Sequence, residues 1–443
     1  MSGQLLAGPQ GFFYLACALI LLASAVIVVV LKPVLGLWAL AAVFATEEAT
    51  PIPLDTSLLR AGATHLYPAD VLSVVLLLAT LVFLIRRPPP ARIMVPLSVA
   101  GTVFAVNLYR GVTQFGLQHA TNESREWFYF LVTVAFVVTA GPWGPRFWKP
   151  WFGLAVAVTG LAWLGLARHG LHPTTSTIMI NGQPVDPRPL TGAGAIALAL
   201  ALIALLGSRA ITPRRKTICA AVLVGTLVLV QQRTVWVVLA VAFLLWAAAS
   251  LHRRSTAQHR RLTVIGVVAL GASALVLASG VATGSVFGRS LAETTAKNST
   301  FAWRVVGWSD LLHSDHSGAA VVFGQPFGSG YLRTVLGTVT DVVPHSFYVA
   351  ALLRLGLVGL IAMAVLYKNV WTQRRAAAAA LGVSPLTVAL LLVAMLVYSI
   401  TYEPGFIASS VIAGLLAWQI QPDRVPAAEA IAGYPAPLMQ GGP

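Results

Sequence analysis

Three residues in this chain have the type and setting to do chemistry. Arg233 stands in Gln231-Gln232-Arg233-Thr234, the only polar break in an apolar stretch from residue 217 to 250. Arg304 precedes Trp308 by four residues, and on a helix such neighbours share a face. His345 follows Pro344 at the mouth of another apolar run. A planar guanidinium holds an anion through paired hydrogen bonds without a metal, and stabilising developing charge is usually the largest catalytic effect, roughly 10²–10³ in rate per donor. An imidazole titrates near neutral pH, so it can take a proton from a hydroxyl that is otherwise a poor nucleophile.

The elements that must position these residues are membrane helices. Of 443 residues, 57% are hydrophobic and only 10% charged, with a mean hydropathy of +0.81. A soluble domain carries roughly a quarter charged residues, which excludes a cytosolic enzyme, a secreted disulfide scaffold and a disordered chain. Cys17 and Cys219 both lie in apolar runs, so neither a disulfide framework nor a cysteine metal site is available. Apolar runs read as spans recur near 12–31, 33–45, 70–85, 93–109, 127–140, 151–167, 191–207, 217–231, 234–250, 262–283, 346–367, 385–401 and 405–420, of which 33–45 is short for a span. The first run lacks a basic start and a small-residue cleavage signature, so it reads as a retained helix. Alternation fixes the topology from residue 70 onward. The short second run leaves two counts open, twelve spans or thirteen.

Charge gives the orientation. Connectors on one side hold 18 of the 29 basic residues with only two acids, Asp423 and Glu429; the other side holds 11 basic and 12 acidic residues. This is the positive-inside pattern, which puts the basic connectors in the cytoplasm and makes the net charge of +15 a topology signal rather than a nucleic-acid one.

On the acidic, outer side four connectors are long, near 46–69, 110–126, 168–190 and 284–345. In the last, Trp303, Val306, Trp308 and Leu311 give residues 299–312 the apolar stripe of an amphipathic helix. A Gly/Pro-punctuated turn, Phe323 to Tyr331, returns the chain towards the membrane. A helix covering 217–250 would be about 50 Å long against roughly 30 Å of hydrocarbon, so the chain must turn back at Gln231–Thr234 and hold Arg233 at the outer surface. Arginine within a membrane costs about 2.5–3.5 kcal/mol, so it faces a partner or a polar cavity, or it snorkels to the headgroups. Position alone leaves both readings open.

In order along the chain, QQRTVWVVLAVAFLL, Arg304-x3-Trp308, FGQPFGSGY and His345-Ser-Phe-Tyr-x5-Arg-Leu-Gly356-Leu-x-Gly359-Leu resemble the O-antigen ligase/polymerase superfamily of membrane glycosyltransferases over residues 217–370. The resemblance implies a fold of the membrane-embedded GT-C type. It also implies transfer of a glycan from a polyprenyl-diphosphate donor to an acceptor saccharide or glycolipid on the extracytoplasmic face. By the same resemblance Arg233 and Arg304 hold the donor diphosphate and His345 serves as base. Gln232 and Thr234 stand where Ser and Gly are usual and Ser346 replaces an Asn, which leaves ligase and polymerase both open; Arg354 stands where an acid is frequent. The roles suit the residue types: a diphosphate leaves well only when its growing charge is stabilised, and a sugar hydroxyl needs a base.

Other features carry less. There is no Asp-x-Asp and no phosphate loop, as expected where the donor arrives already activated on a lipid. Gly192-x-Gly194-x-x-Ala197 opens an apolar span rather than following a strand, so it is not a dinucleotide fingerprint. His313-Ser-Asp315-His316 reads as a solvated turn, and no metal or other cofactor is called for. Arg125, Glu403, Trp308 and Tyr348 are accessory candidates, each with a bland alternative as an interfacial anchor or turn residue. Arg354 lies nine residues past His345, about 180° round a helix, and is not counted as catalytic.

The sequence thus predicts an all-α polytopic protein of the cytoplasmic (inner) membrane with 12–13 transmembrane helices and a long, partly helical extracytoplasmic loop. Residues 1–216 form the N-terminal helices, 217–420 the ligase-like region including loop 284–345, and 421–443 a cytoplasmic tail. The partners are the lipid-linked donor, the acceptor and membrane lipids, not nucleic acid. A transporter or flippase of lipid-linked glycans is the competing class. It should show paired repeats and ionisable residues near the midplane; no repeat is visible, and Arg354 is the main charge away from the surface. A non-catalytic scaffold is a third class that composition does not exclude.

Overall fold

Pro33, which lacks the N–H a helix interior needs, marks the first break in a fold that is mostly helical among the described residues. The computed structural model describes residues 9–48, 59–61, 64–141, 143–171, 178–180, 183–185, 188–252, 300–314, 316–335, 337–403 and 405–417. Helix α1 (Pro9–Leu31) meets α2 (Val34–Glu48) at a bend of 119°. Then come α3 (Pro68–Arg86), α4 (Ala91–Phe115), α5 (Leu117–Ala140), α6 (Trp148–His169), α7 (Gly192–Gly207), α8 (Pro213–Val230) and α9 (Arg233–His252). The distal part holds α10 (Thr300–His313), α11 (Gly318–Phe323), α12 (Phe347–Thr372), α13 (Arg374–Leu381), α14 (Pro385–Tyr398) and α15 (Phe406–Ala417).

Caps and prolines start several of these helices. Tyr67 N donates to Asp70 Oδ2 at the head of α3, Thr191 Oγ1 accepts from Ala193 N and Gly194 N at α7, and Ser384 Oγ accepts from Thr387 N at α14. The apolar stretch 217–250 does break at the glutamines: Val230 ends α8, Gln231 takes the left-handed conformation and Arg233 opens α9.

Among the described residues four helices are long and apolar enough to cross a membrane, or up to six if each bent pair is one span. The other helices are short or charged at one end: α7 and α15 have 16 and 12 residues, while α5 carries Glu123, Arg125 and Glu126. The predicted span near 262–283, the start of connector 284–345 and the tail 421–443 lie outside the described residues. Leu31, Ile85, Val95, Val156, Leu244 and Ile361 stay exposed on helix surfaces, an apolar exterior that suits lipid rather than water.

The all-α expectation holds at the level of architecture, and one expectation about a connector needs correction. Three small antiparallel hairpins, β1–β2 (Leu59–Ala61, Thr64–Leu66), β3–β4 (Ile178–Ile180, Gln183–Val185) and β5–β6 (Arg333–Val335, Thr338–Thr340), fall in three of the four long connectors. The fourth, 110–126, is not a loop. Its charges stand on ordinary helical turns of α4 and α5, and only Gly116 at φ 86° separates the two helices.

The helices sort charge to two ends. Asn369 Nδ2 donates to Arg92 O, Trp148 Nε1 to Leu381 O and Arg209 N to Gly382 O, so four basic connectors meet at one end. At the far ends of α8 and α14, Gln232 Nε2 donates to Leu190 O and Thr401 Oγ1 to Thr234 Oγ1.

Candidate active site

The turn between α14 and α15, Ser399 to Gly405, is the hub of the polar end. Thr401 Oγ1 lies 3.2 Å from Thr234 Oγ1, next in sequence to Arg233. From α10, Arg304 Nη1 points at Thr401 O at 3.5 Å, its Cζ lies 4.9 Å from the centre of the Tyr402 ring, and its buried Nε has no acceptor among the described residues. The ring of His345 lies 6.4 Å from that of Tyr402. One tyrosine therefore adjoins both an arginine from α10 and the histidine that precedes α12, while the α8–α9 turn touches the residue beside it.

The approach of His345 is built by its neighbours. Trp308 Nε1, one turn along α10 from Arg304, donates to Pro344 O, and Phe347 N donates to Ser399 O at 3.0 Å. Between these anchors His345 takes φ 50°, a left-handed backbone uncommon outside glycine. Burial, then Arg304 and Arg333, hold its imidazole below the usual histidine range, which favours the neutral, proton-accepting form. Arg333, which composition does not single out, is buried in β5 with Nη1 donating to Tyr331 O and its Cζ 5.3 Å from the Trp303 ring.

Glu403 occupies the same turn. Burial, then Glu126 and Glu123, push its carboxyl up to about 8, with Arg354 opposing. Its Oε1 has no hydrogen-bond partner among the described residues.

Two accessory candidates are engaged elsewhere. Arg125 binds Asp70 Oδ1 at 3.0 Å and His65 O at 2.9 Å, so it ties α5 to the head of α3. Tyr348 donates to Leu396 O at 2.9 Å, inside the α12–α14 packing. His313 and His316 both contact backbone carbonyls, of Ser309 and Leu311, and no group of three or more His, Cys, Asp or Glu is arranged to hold a metal among the described residues.

The Gly/Pro turn has the most elaborate seat. α12 breaks at Gly356, φ 64° and ψ −172°, which frees carbonyls that an unbroken helix would use. Gln325 N donates to Leu353 O at 2.7 Å, and Asn107 Nδ2 from α4 donates to Arg354 O at 2.9 Å and Phe323 O at 2.6 Å. Arg354 is fully buried, donates to Gln325 Oε1 and Ser329 Oγ, lies 4.2 Å from the Tyr331 ring and pairs with Glu123. Glu123 Oε2 accepts from Gly328 N and Gly330 N. Sequence setting alone does not pick out Glu123; the available signal is an acid and an arginine, each stranded beside apolar runs and each needing a partner.

Fold and site together define a predominantly helical, multi-pass membrane protein with a polar site at the end away from its basic connectors. No protein-family model and no curated protein matches the chain.

Proposed function

We propose that the protein is a membrane glycosyltransferase, O-antigen ligase-like, with 12–13 spans in a GT-C-type arrangement. It transfers a glycan from a polyprenyl-diphosphate donor to an acceptor saccharide on the extracytoplasmic side of the cytoplasmic membrane. The observation that carries this reading is the junction of Arg304 and His345 on Tyr402, with Arg233 one residue from the Thr234–Thr401 contact. In the reaction, neutral His345 takes the proton of the acceptor hydroxyl while its oxygen attacks the anomeric carbon. The bond to the carrier diphosphate breaks, and Arg304 and Arg233 stabilise the charge that develops there. Glu403, protonated near neutral pH, does not compete for the proton and can donate a hydrogen bond to a sugar oxygen.

The test is transfer by purified protein from a defined lipid-linked oligosaccharide. His345→Ala and Arg233→Ala should insert normally, lose transfer and, in cells, let lipid-linked glycan accumulate. Normal product from either variant would defeat the assignment. Accumulation of carrier-linked glycan on the cytoplasmic face would point to a flippase instead.

A further inference from the structure

A cavity of about 470 Å³ opens at the basic end, among the end of α7, the starts of α8 and α14 and the middle of α9. Its volume is in the range of ligand sites. Its lining combines the polar residues Arg209, Lys216 and Ser384 with apolar ones that include Phe243, Trp246 and Leu390. Among the described residues no acidic one lines it. Lys216, half-buried, donates to Leu206 O at 3.3 Å, one of the three donors that an ammonium carries. The Arg209 side chain is exposed, its fixed contact being the backbone N–H to Gly382 O. Helices α8 and α14 both begin here, adding the positive ends of their dipoles to the two cations.

We propose that this cavity binds the headgroup of an anionic phospholipid, with the phosphate on Lys216 and Arg209 and the upper acyl chain against Phe243, Trp246 and Leu390. Free phosphate would satisfy the cations but leave the apolar wall uncovered. A zwitterionic lipid would cover the wall but bring its own cation to the basic rim. Basic pockets between membrane helices are established settings for anionic headgroups. The site lies at the other ends of α8 and α14 from His345, so it stands independently of the glycan-transfer reading.

The test uses the full chain in detergent, titrated with dioleoylphosphatidylglycerol, dioleoylphosphatidylcholine or inorganic phosphate and followed by native mass spectrometry and thermal unfolding. Phosphatidylglycerol should be retained as one molecule per chain and raise the unfolding temperature. Arg209→Gln with Lys216→Gln should weaken it about tenfold or more, while Lys216→Arg keeps it. Arg209→Glu alone, at an exposed side chain, gives a second answer should the double variant fold poorly. Equal binding of phosphatidylcholine, an equal shift with inorganic phosphate, or unchanged affinity in Arg209→Glu would overturn the proposal.

Discussion

Arg354 of α12 and Glu123 of α5 form an ion pair around which the Gly/Pro turn is folded: the arginine side binds Gln325 and Ser329, and the glutamate side binds the backbone of Gly328 and Gly330. Arg354 is fully buried, and burying two charges is costly enough that such a pair holds only when its remaining hydrogen bonds are met. Here the turn itself meets them. The pair therefore acts as the clasp of the long connector, and it fixes where the chain emerges towards Pro344 and His345.

Breaking the clasp from one side should cost more than its parts suggest. Arg354→Met leaves Glu123 buried without its cation, a loss of about 3–5 kcal/mol in stability. Glu123→Gln should cost less, because an amide oxygen can still accept from Gly328 and Gly330. A double-mutant cycle read by thermal unfolding in detergent should give a coupling of at least about 1 kcal/mol. Additive effects would show that the two charges do not depend on each other.

The kink in α12 makes a second prediction. A Cβ at Gly356 would run into Val322 O and Gly324 N, on a backbone with φ 64°. A Cβ at Gly324, φ 86°, would in turn meet Arg354 O. Gly356→Ala should destabilise by about 2 kcal/mol or more, from backbone strain together with the clash, and should expose residues 323–331 to proteolysis. The control is Gly318→Ala at the start of α11, where a Cβ meets nothing within 4 Å. Equal protease resistance in the Gly356 and Gly318 variants would argue against the docked turn.

Local signals are readable from sequence where a single segment decides the outcome. The break at Gln231–Thr234 follows from length alone, and the apolar stripe over 299–312 matches α10 at Thr300–His313. Connector 110–126 reads as a loop only if charge is equated with loop, yet Glu and Arg are good helix formers, and the segment is helical. The break at Gly356 is hidden because hydropathy sees only an apolar run. Pairing of Glu123 with Arg354, and of Arg304 with Tyr402, joins segments far apart in the chain, and no periodicity reports that. Arg304 and His345 can be nominated from residue type and resemblance, but the tyrosine between them reads from sequence only as an interfacial anchor.

The Glu403 carboxyl sets the sign of one pH effect. Pushed up to about 8 by burial and then by Glu126 and Glu123, it is protonated in the folded chain and ionised in the unfolded chain between about 4.5 and 8. The folded state then binds more protons, so this group's contribution is full at acid pH and is lost as pH rises through that window. Glu403→Gln, which mimics the protonated form, should leave the unfolding temperature near pH 5 little changed and raise it at pH 8. His345 works the other way: its depressed value makes the unfolded chain the better proton acceptor below the ordinary histidine range, so acidification there costs stability. A Glu403→Gln variant with the wild-type pH slope would remove Glu403 from this account.

Tyr402 should be a positioning residue whose ring matters and whose hydroxyl does not. Its face holds Arg304 at 4.9 Å, its ring centre lies 6.4 Å from that of His345, and it stacks on Tyr398 at 5.1 Å. Cation–π contact at a partly desolvated site is worth about 1–2 kcal/mol, so losing the ring should lower transfer about tenfold. Tyr402→Phe keeps the ring and should remain near wild type; Tyr402→Leu should lose that tenfold mainly in turnover, with folding checked by the unfolding temperature. The pH profile separates positioning from mere packing. With Arg304 released, its charge no longer depresses His345, so the acid limb of the Tyr402→Leu profile should move towards higher pH; an unmoved limb would remove Tyr402 from the positioning of the pair.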